Sequence, residues 1–164
     1  MKRGSKIVFW VLGLLAALIA VPTWNVAKFA YHVHTFDPDA ERAKPPRYTA
    51  SATLDGFDVT FELYPRHPFL AEYTITASVS RRGTLLMKEE FIDTGGLSDF
   101  YCIKAGDDIL ITNWNKEGFI VDTLRTKVKP MDYSRFPEDY QSRSFGRFSF
   151  TEGERSVYEF RKKN

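Results

Sequence analysis

The alternation of apolar and polar side chains on either side of Asp55-Gly56 constrains this chain more than any other feature. Before that pair, Tyr48, Ala50, Ala52 and Leu54 alternate with Thr49, Ser51, Thr53 and Asp55; after it, Phe57, Val59, Phe61 and Leu63 alternate with Asp58, Thr60, Glu62 and Tyr64. A period of two belongs to a strand with one buried face, and Asp-Gly tolerates the positive φ angles of a two-residue hairpin turn. With that turn, Leu54 faces Phe57, Ala52 faces Val59, Ala50 faces Phe61 and Tyr48 faces Leu63. Both apolar sets land on one side, so local pattern and turn chemistry specify the same pairing.

The same texture continues. Tyr73, Ile75, Ala77 and Val79 alternate with Thr74, Thr76, Ser78 and Ser80, and Arg81-Arg82-Gly83 turns the chain. Residues 84–92 alternate less cleanly, because Leu85, Leu86 and Met87 are consecutive and Glu89-Glu90 interrupt; an edge strand or a bulge accounts for that. After Thr94-Gly95-Gly96, three strands are expected at 100–104, 109–114 and 119–128, joined by turns at 105–108 and 115–118. Residues 130–144 have no sustained period and are expected to form a long loop, and a last hairpin joins 145–151 to 155–161 through Glu152-Gly153-Glu154. About eight or nine strands with short turns predict an all-β domain, an antiparallel sandwich or a small barrel, over residues 48–164. Antibody-type pairing of two cysteines is excluded, since Cys102 is the only cysteine; its apolar neighbours Tyr101 and Ile103 predict burial.

Ahead of this domain, Ile7 to Ala27 carries no charged side chain, and at 1.5 Å per residue it would reach roughly 30 Å as a helix, the thickness of a hydrocarbon core. It is expected to be a single transmembrane helix with the lipid bilayer as partner. Lys2, Arg3 and Lys6 hold the N-terminus, residues 1–6, in the cytoplasm, which places the C-terminal domain in the periplasm of a bacterium with the inner membrane as anchor. The alternative is secretion after signal-peptide cleavage, but cuts after Ala17, Ala20 or Ala30 would put Leu15, Leu18 or Lys28 at the position that wants a small residue. Residues 28–47 then form a stalk and a Pro-containing linker: Val26, Phe29, Ala30 and Val33 keep helical spacing, Asp37-Pro38 can open another short helix, and Pro45-Pro46 favours extended chain.

Charge narrows the function classes. The net charge of +2 divides into 7 basic against 3 acidic residues over 1–47, 6 against 12 over 48–124, and 10 against 6 over 125–164. The largest block is acidic, so nucleic acid is not an expected partner. No cofactor motif is present. No metal site is assigned: the nearest ligand types, His32, His34, Asp37 and Asp39, include two histidines that point about 200° apart on a helix. His67 sits in a loop without an identifiable catalytic partner, and Glu89-Glu90 face opposite sides of a strand, so no enzyme is expected. Arg125, Lys127 and Lys129 alternate on one strand face and form a basic stripe suited to an acidic partner or to anionic lipid headgroups. Trp114, at a hairpin tip, is expected to close the end of the core, so that its truncation costs stability; the alternative is an anchor for a protein partner. Its cross-strand neighbour is expected to be Phe119 or Ile120. The expected function is a membrane-anchored binding or accessory module of the cell envelope acting through protein-protein contact; the alternatives are a neutralising, immunity-type partner of an exported toxin and an envelope-associated hydrolase.

Overall fold

The computed structural model describes residues 21–93, 99–131, 139–151 and 154–163. Strand β1 (Tyr48–Leu54) pairs with β2 (Phe57–Pro65) in the register the alternation predicts, from Tyr48 opposite Leu63 to Leu54 opposite Phe57. Asp55 and Gly56 carry φ values of 48° and 78°, the left-handed geometry of the two-residue turn. The meander continues through β3 (Tyr73–Arg81) and β4 (Thr84–Asp93), giving a four-stranded antiparallel sheet in the order β1-β2-β3-β4. Strand β4 is both an edge and bulged. Val79 pairs with Met87 but Ser80 with Leu85, which leaves Leu86 as the extra residue.

The second sheet has six strands in the order β10-β9-β5-β6-β7-β8. They are β5 (Phe100–Ala105), β6 (Asp108–Thr112), β7 (Gly118–Asp122), β8 (Lys127–Pro130), β9 (Ser144–Thr151) and β10 (Glu154–Lys162). The two sheets share one core, and no ladder joins them among the described residues. Phe61 of the first sheet lies 4.4 Å from the ring of Phe100, 4.7 Å from Phe148 and 6.4 Å from Phe119 of the second. Edge strands β1 and β10 run beside each other on one side, where the rings of Tyr48 and Phe150 meet edge-on at 5.0 Å.

The strand expected over 119–128 is two strands, which raises the described total to ten. The apolar period ends at Val121, and the Asp122 carboxylate then accepts the Arg125 N–H at 2.8 Å, a side-chain-closed turn that reverses the chain. Thr126, at φ 54°, completes the reversal. Inside the loop expected over 130–144, Met131 and Tyr140 cover Ile103, Leu110 and Ile120 on the outer face of the six-stranded sheet, and a short helix, Tyr140–Arg143, follows.

The chain divides into two units, Met1–Asp37 and Pro38–Asn164. In the first, residues 21–35 are helical (α1), with Val21, Trp24, Val26, Phe29 and Val33 exposed along it. Most of the expected span, residues 7–27, lies outside the described residues; among those described, no helix is long and apolar enough to cross a membrane. The second unit opens with α2 (Pro38–Arg42), placed where Asp37-Pro38 predicts a helix start. Helix α2 packs near β2, and Arg42 forms an ion pair with Glu90 of β4. Tyr140–Arg143 is α3.

Candidate functional site

Strands β5, β9 and β10 are neighbours, and their core-facing residues include Phe100, Cys102, Phe148 and Tyr158. The residues between these must point the other way. Register sets Tyr101 opposite Arg147 and Arg147 opposite Arg161, so a tyrosine and two arginines form a row across the outer face of three strands. This row floors a cleft of about 420 Å³ whose lining also includes Gln141, Lys162 and Lys163.

Helix α3 supplies one wall. The Lys163 ammonium donates to the carbonyl oxygens of Ser142 at 2.8 Å and Gln141 at 3.5 Å, which satisfies two of the last carbonyls of the helix, while the Ser144 hydroxyl donates to Gln141 O at 2.9 Å. Tyr140 meets Tyr101 edge-on at 5.1 Å. Two carboxylates temper the cations: Asp99 lies 3.3 Å from Arg147 and Glu159 lies 3.8 Å from Arg161. Burial pushes the Asp99 carboxyl above its ordinary range, opposed by Arg147, by a hydrogen bond from Tyr101 and by Arg161. Burial, and then Asp99 itself, push the Tyr101 phenol upward.

Among the described residues, four cationic side chains against two carboxylates leave an electropositive cleft, and the planar forks of Arg147 and Arg161 match a carboxylate or phosphate. This arrangement can recognise an anionic group. Ser144 is committed to Gln141, and the histidines lie elsewhere. Among the described residues, no group of three His, Cys, Asp or Glu side chains could hold a metal.

The sequence-derived sites fall in other places. His32 and His34 lie on helical α1, so they point to different sides; Asp37 and Asp39, like them, are exposed. His67 shapes a turn: its Nδ1 accepts the N–H groups of Phe69 at 3.2 Å and Leu70 at 3.0 Å. Cys102 is fully buried, and desolvation drives its thiol far upward.

The basic stripe is not a stripe. Arg125 lies in the β7–β8 turn while Lys127 and Lys129 lie on β8, and Lys129 and Arg125 both approach Asp122, at 3.4 and 4.0 Å. Trp114 is 54% exposed and so does not close the core. Neither expected register for it occurs, because Phe119 pairs with Ile111 and Ile120 with Leu110. Asn113 and Glu117 close a wider loop through Asn113 Nδ2–Glu117 Oε2 at 3.0 Å and Glu117 N–Asn113 Oδ1 at 2.9 Å. Trp114 and Arg125 therefore sit beyond opposite ends of β7, and the fold does not bring them together.

Sequence reasoning passed over Tyr101, Arg147 and Arg161. The alternation that puts Arg147 on one face of Phe145 to Thr151 and the basic tail Arg161-Lys162-Lys163 were the available signals, but the β5–β9 pairing that brings Tyr101 to them is not local. No family model matches this chain, and no curated protein or solved structure matches it.

Proposed function

We propose that this chain is a membrane-anchored binding module of the bacterial envelope, held by residues 7–27 and holding an acidic protein partner through the cleft over Tyr101, Arg147 and Arg161. The observation that carries the reading is the excess of cationic over acidic side chains around that cleft, on a sheet face walled by α3. Charge of one sign in a concave, partly desolvated site raises the encounter rate and selects partners of the other sign. The uncharged run and the basic residues before it support the tether and its orientation.

A photoreactive benzophenone amino acid in place of Gln141, in the full chain in intact membranes, tests this. The expected result is a discrete covalent adduct that Arg161→Glu abolishes, while the same probe in place of Leu124, beyond the far end of β7, gives none. The same adducts from both positions, or an adduct indifferent to Arg161→Glu, would overturn the proposal.

A further inference from the structure

The strand registers define two ends of the β unit. At one, β1 begins with Tyr48 opposite Leu63, Arg47 N–H donates to Leu63 O at 2.9 Å, and β3 begins with Tyr73 opposite Pro65. This is the end at which the chain arrives from α2. The second sheet shares it: Tyr48 and Tyr73 both meet the Phe150 ring, at 5.0 and 6.0 Å, and Phe91 meets Phe100, the first residue of β5, at 5.4 Å. The opposite end is marked by Lys104 on Asp55 and Arg81 on Thr126. Since β5 runs away from the entry end, β6 returns to it, so the β6–β7 loop and the β2–β3 loop both lie at that end, the former beside Glu89 to Phe91 of β4.

Both loops display large apolar side chains to solvent. Phe69 is 51% exposed, Leu70 56% and Trp114 54%. Neither loop is slack. Arg66 N–H donates to Glu72 O at 2.9 Å and His67 Nδ1 accepts two amides, while Asn113 and Glu117 tie the other loop side chain to backbone and side chain to side chain. Each tip also carries a cation near its apolar group, Arg66 in one and Lys116 in the other. Two tied loops from different sheets at one end of the unit can make a two-point contact with a flat object.

We infer that this end of the domain stands on the bilayer, with Phe69, Leu70 and Trp114 as interfacial contacts and Arg66 and Lys116 facing anionic headgroups. Aromatic rings and basic residues are the side chains that settle at that boundary. The inference rests on the anchor reading of residues 7–27, and the anchor explains why three side chains suffice. Twenty residues, 28–47, separate the run from β1, so the tether keeps the local lipid concentration high and weak contacts hold. The basic cleft follows the opposite course. Strand β10 leaves the entry end and finishes at Lys162, so the cleft's Lys162 and Lys163 lie toward the end that would face away from the membrane.

The experiment uses the full chain in vesicles of phosphatidylethanolamine and phosphatidylglycerol, with an environment-sensitive fluorophore on Phe69→Cys, Trp114→Cys or Leu124→Cys. Buried Cys102 stays unlabelled, and its lack of reaction reports that each variant is folded. Nitroxide-bearing lipid is expected to quench the labels at positions 69 and 114 at least threefold more than the label at 124, which is 75% exposed at the opposite end. Equal, weak quenching at all three positions in vesicles that retain the chain through an alkaline wash overturns the inference and leaves the anchor standing. Loss of the chain in that wash overturns the anchor reading and this inference with it. Labels unquenched in pure lipid but shielded in native membranes would assign the surface to a protein, against the proposal.

Discussion

Replacing Phe61 with alanine probes the centre of the fold. Phe61 is fully buried, and its cross-strand neighbours on both sides are small, Ala50 and Ala77. The ring fills the space those alanines leave, against Phe100, Phe148 and Phe119 of the other sheet. Phe61→Ala would set three alanines in a row beneath three phenylalanines, with no large cross-strand partner to close the hole. Truncations of buried Phe cost about 3 to 5 kcal/mol, and a site that cannot collapse belongs at the upper end. Against total stabilities of about 5 to 15 kcal/mol, a loss near 4 leaves the domain folded but far more often open. Cys102 reads this directly, because its buried thiol reacts only when the sheets part. At about 1.4 kcal/mol per tenfold, iodoacetamide should label Cys102 roughly a thousandfold faster in Phe61→Ala than in the parent. Phe69→Ala, the same deletion at an exposed ring, should change the rate less than threefold. A gain below tenfold in Phe61→Ala would refute the reasoning, since the ring would then not be what holds the sheets together.

Trp114→Ala should leave the urea midpoint within about 0.5 kcal/mol of the parent, as a half-exposed loop side chain without core contacts predicts; a loss above 2 kcal/mol would restore the core reading. Gly118→Ala should destabilise by about 3 kcal/mol or more, because a Cβ there would lie 2.0 Å from the Ile111 carbonyl oxygen at a φ of 154°; a normal melting curve would contradict the β6–β7 geometry. The cleft should bind a fluorescent tyrosine-sulfated peptide without carboxylate side chains, whose sulfates stay ionised throughout, more weakly as pH rises through the Asp99 titration, whose range is raised by burial, because the ionised carboxylate offsets Arg147. The same raised titration contributes stability at low pH that is lost as pH rises through the folded-state value, and Asp99→Asn should flatten both dependences; a binding profile unchanged by that substitution would remove Asp99 from the cleft's electrostatics.

The legible parts of the fold were those written in neighbouring residues. The first hairpin could be paired residue by residue because its period and its Asp-Gly turn agree, and the disturbed period of β4 pointed to an edge or a bulge, where the strand has both. The break after Asp122 was missed because the deciding event is a carboxylate accepting an amide three residues on, and that leaves no mark in apolar periodicity. Trp114 was misjudged by residue type: Trp is more often buried than not, but a five-residue loop closed by Asn113 and Glu117 carries it beyond the sheet. The cleft was illegible for a different reason. Its row runs across three strands, and the Tyr101–Arg147 neighbourhood exists only once β9 returns to β5.

That return also orders the assembly of the molecule in time. Every described ladder joins successive strands except β5 with β9, so a chain emerging N-terminus first can complete its first sheet while the remainder is still being made. The finished meander then carries an uncovered apolar face. Phe61 meets Phe148 only after residue 148 has arrived, and Tyr48 likewise waits for Phe150. The β9–β10 hairpin is thus the piece that commits the core, and a chain cut short before residue 144 would keep its earlier strands yet lack the closing rings. Such a fragment would be exposed to aggregation and proteolysis, so the domain is protected only once β9 and β10 are in place.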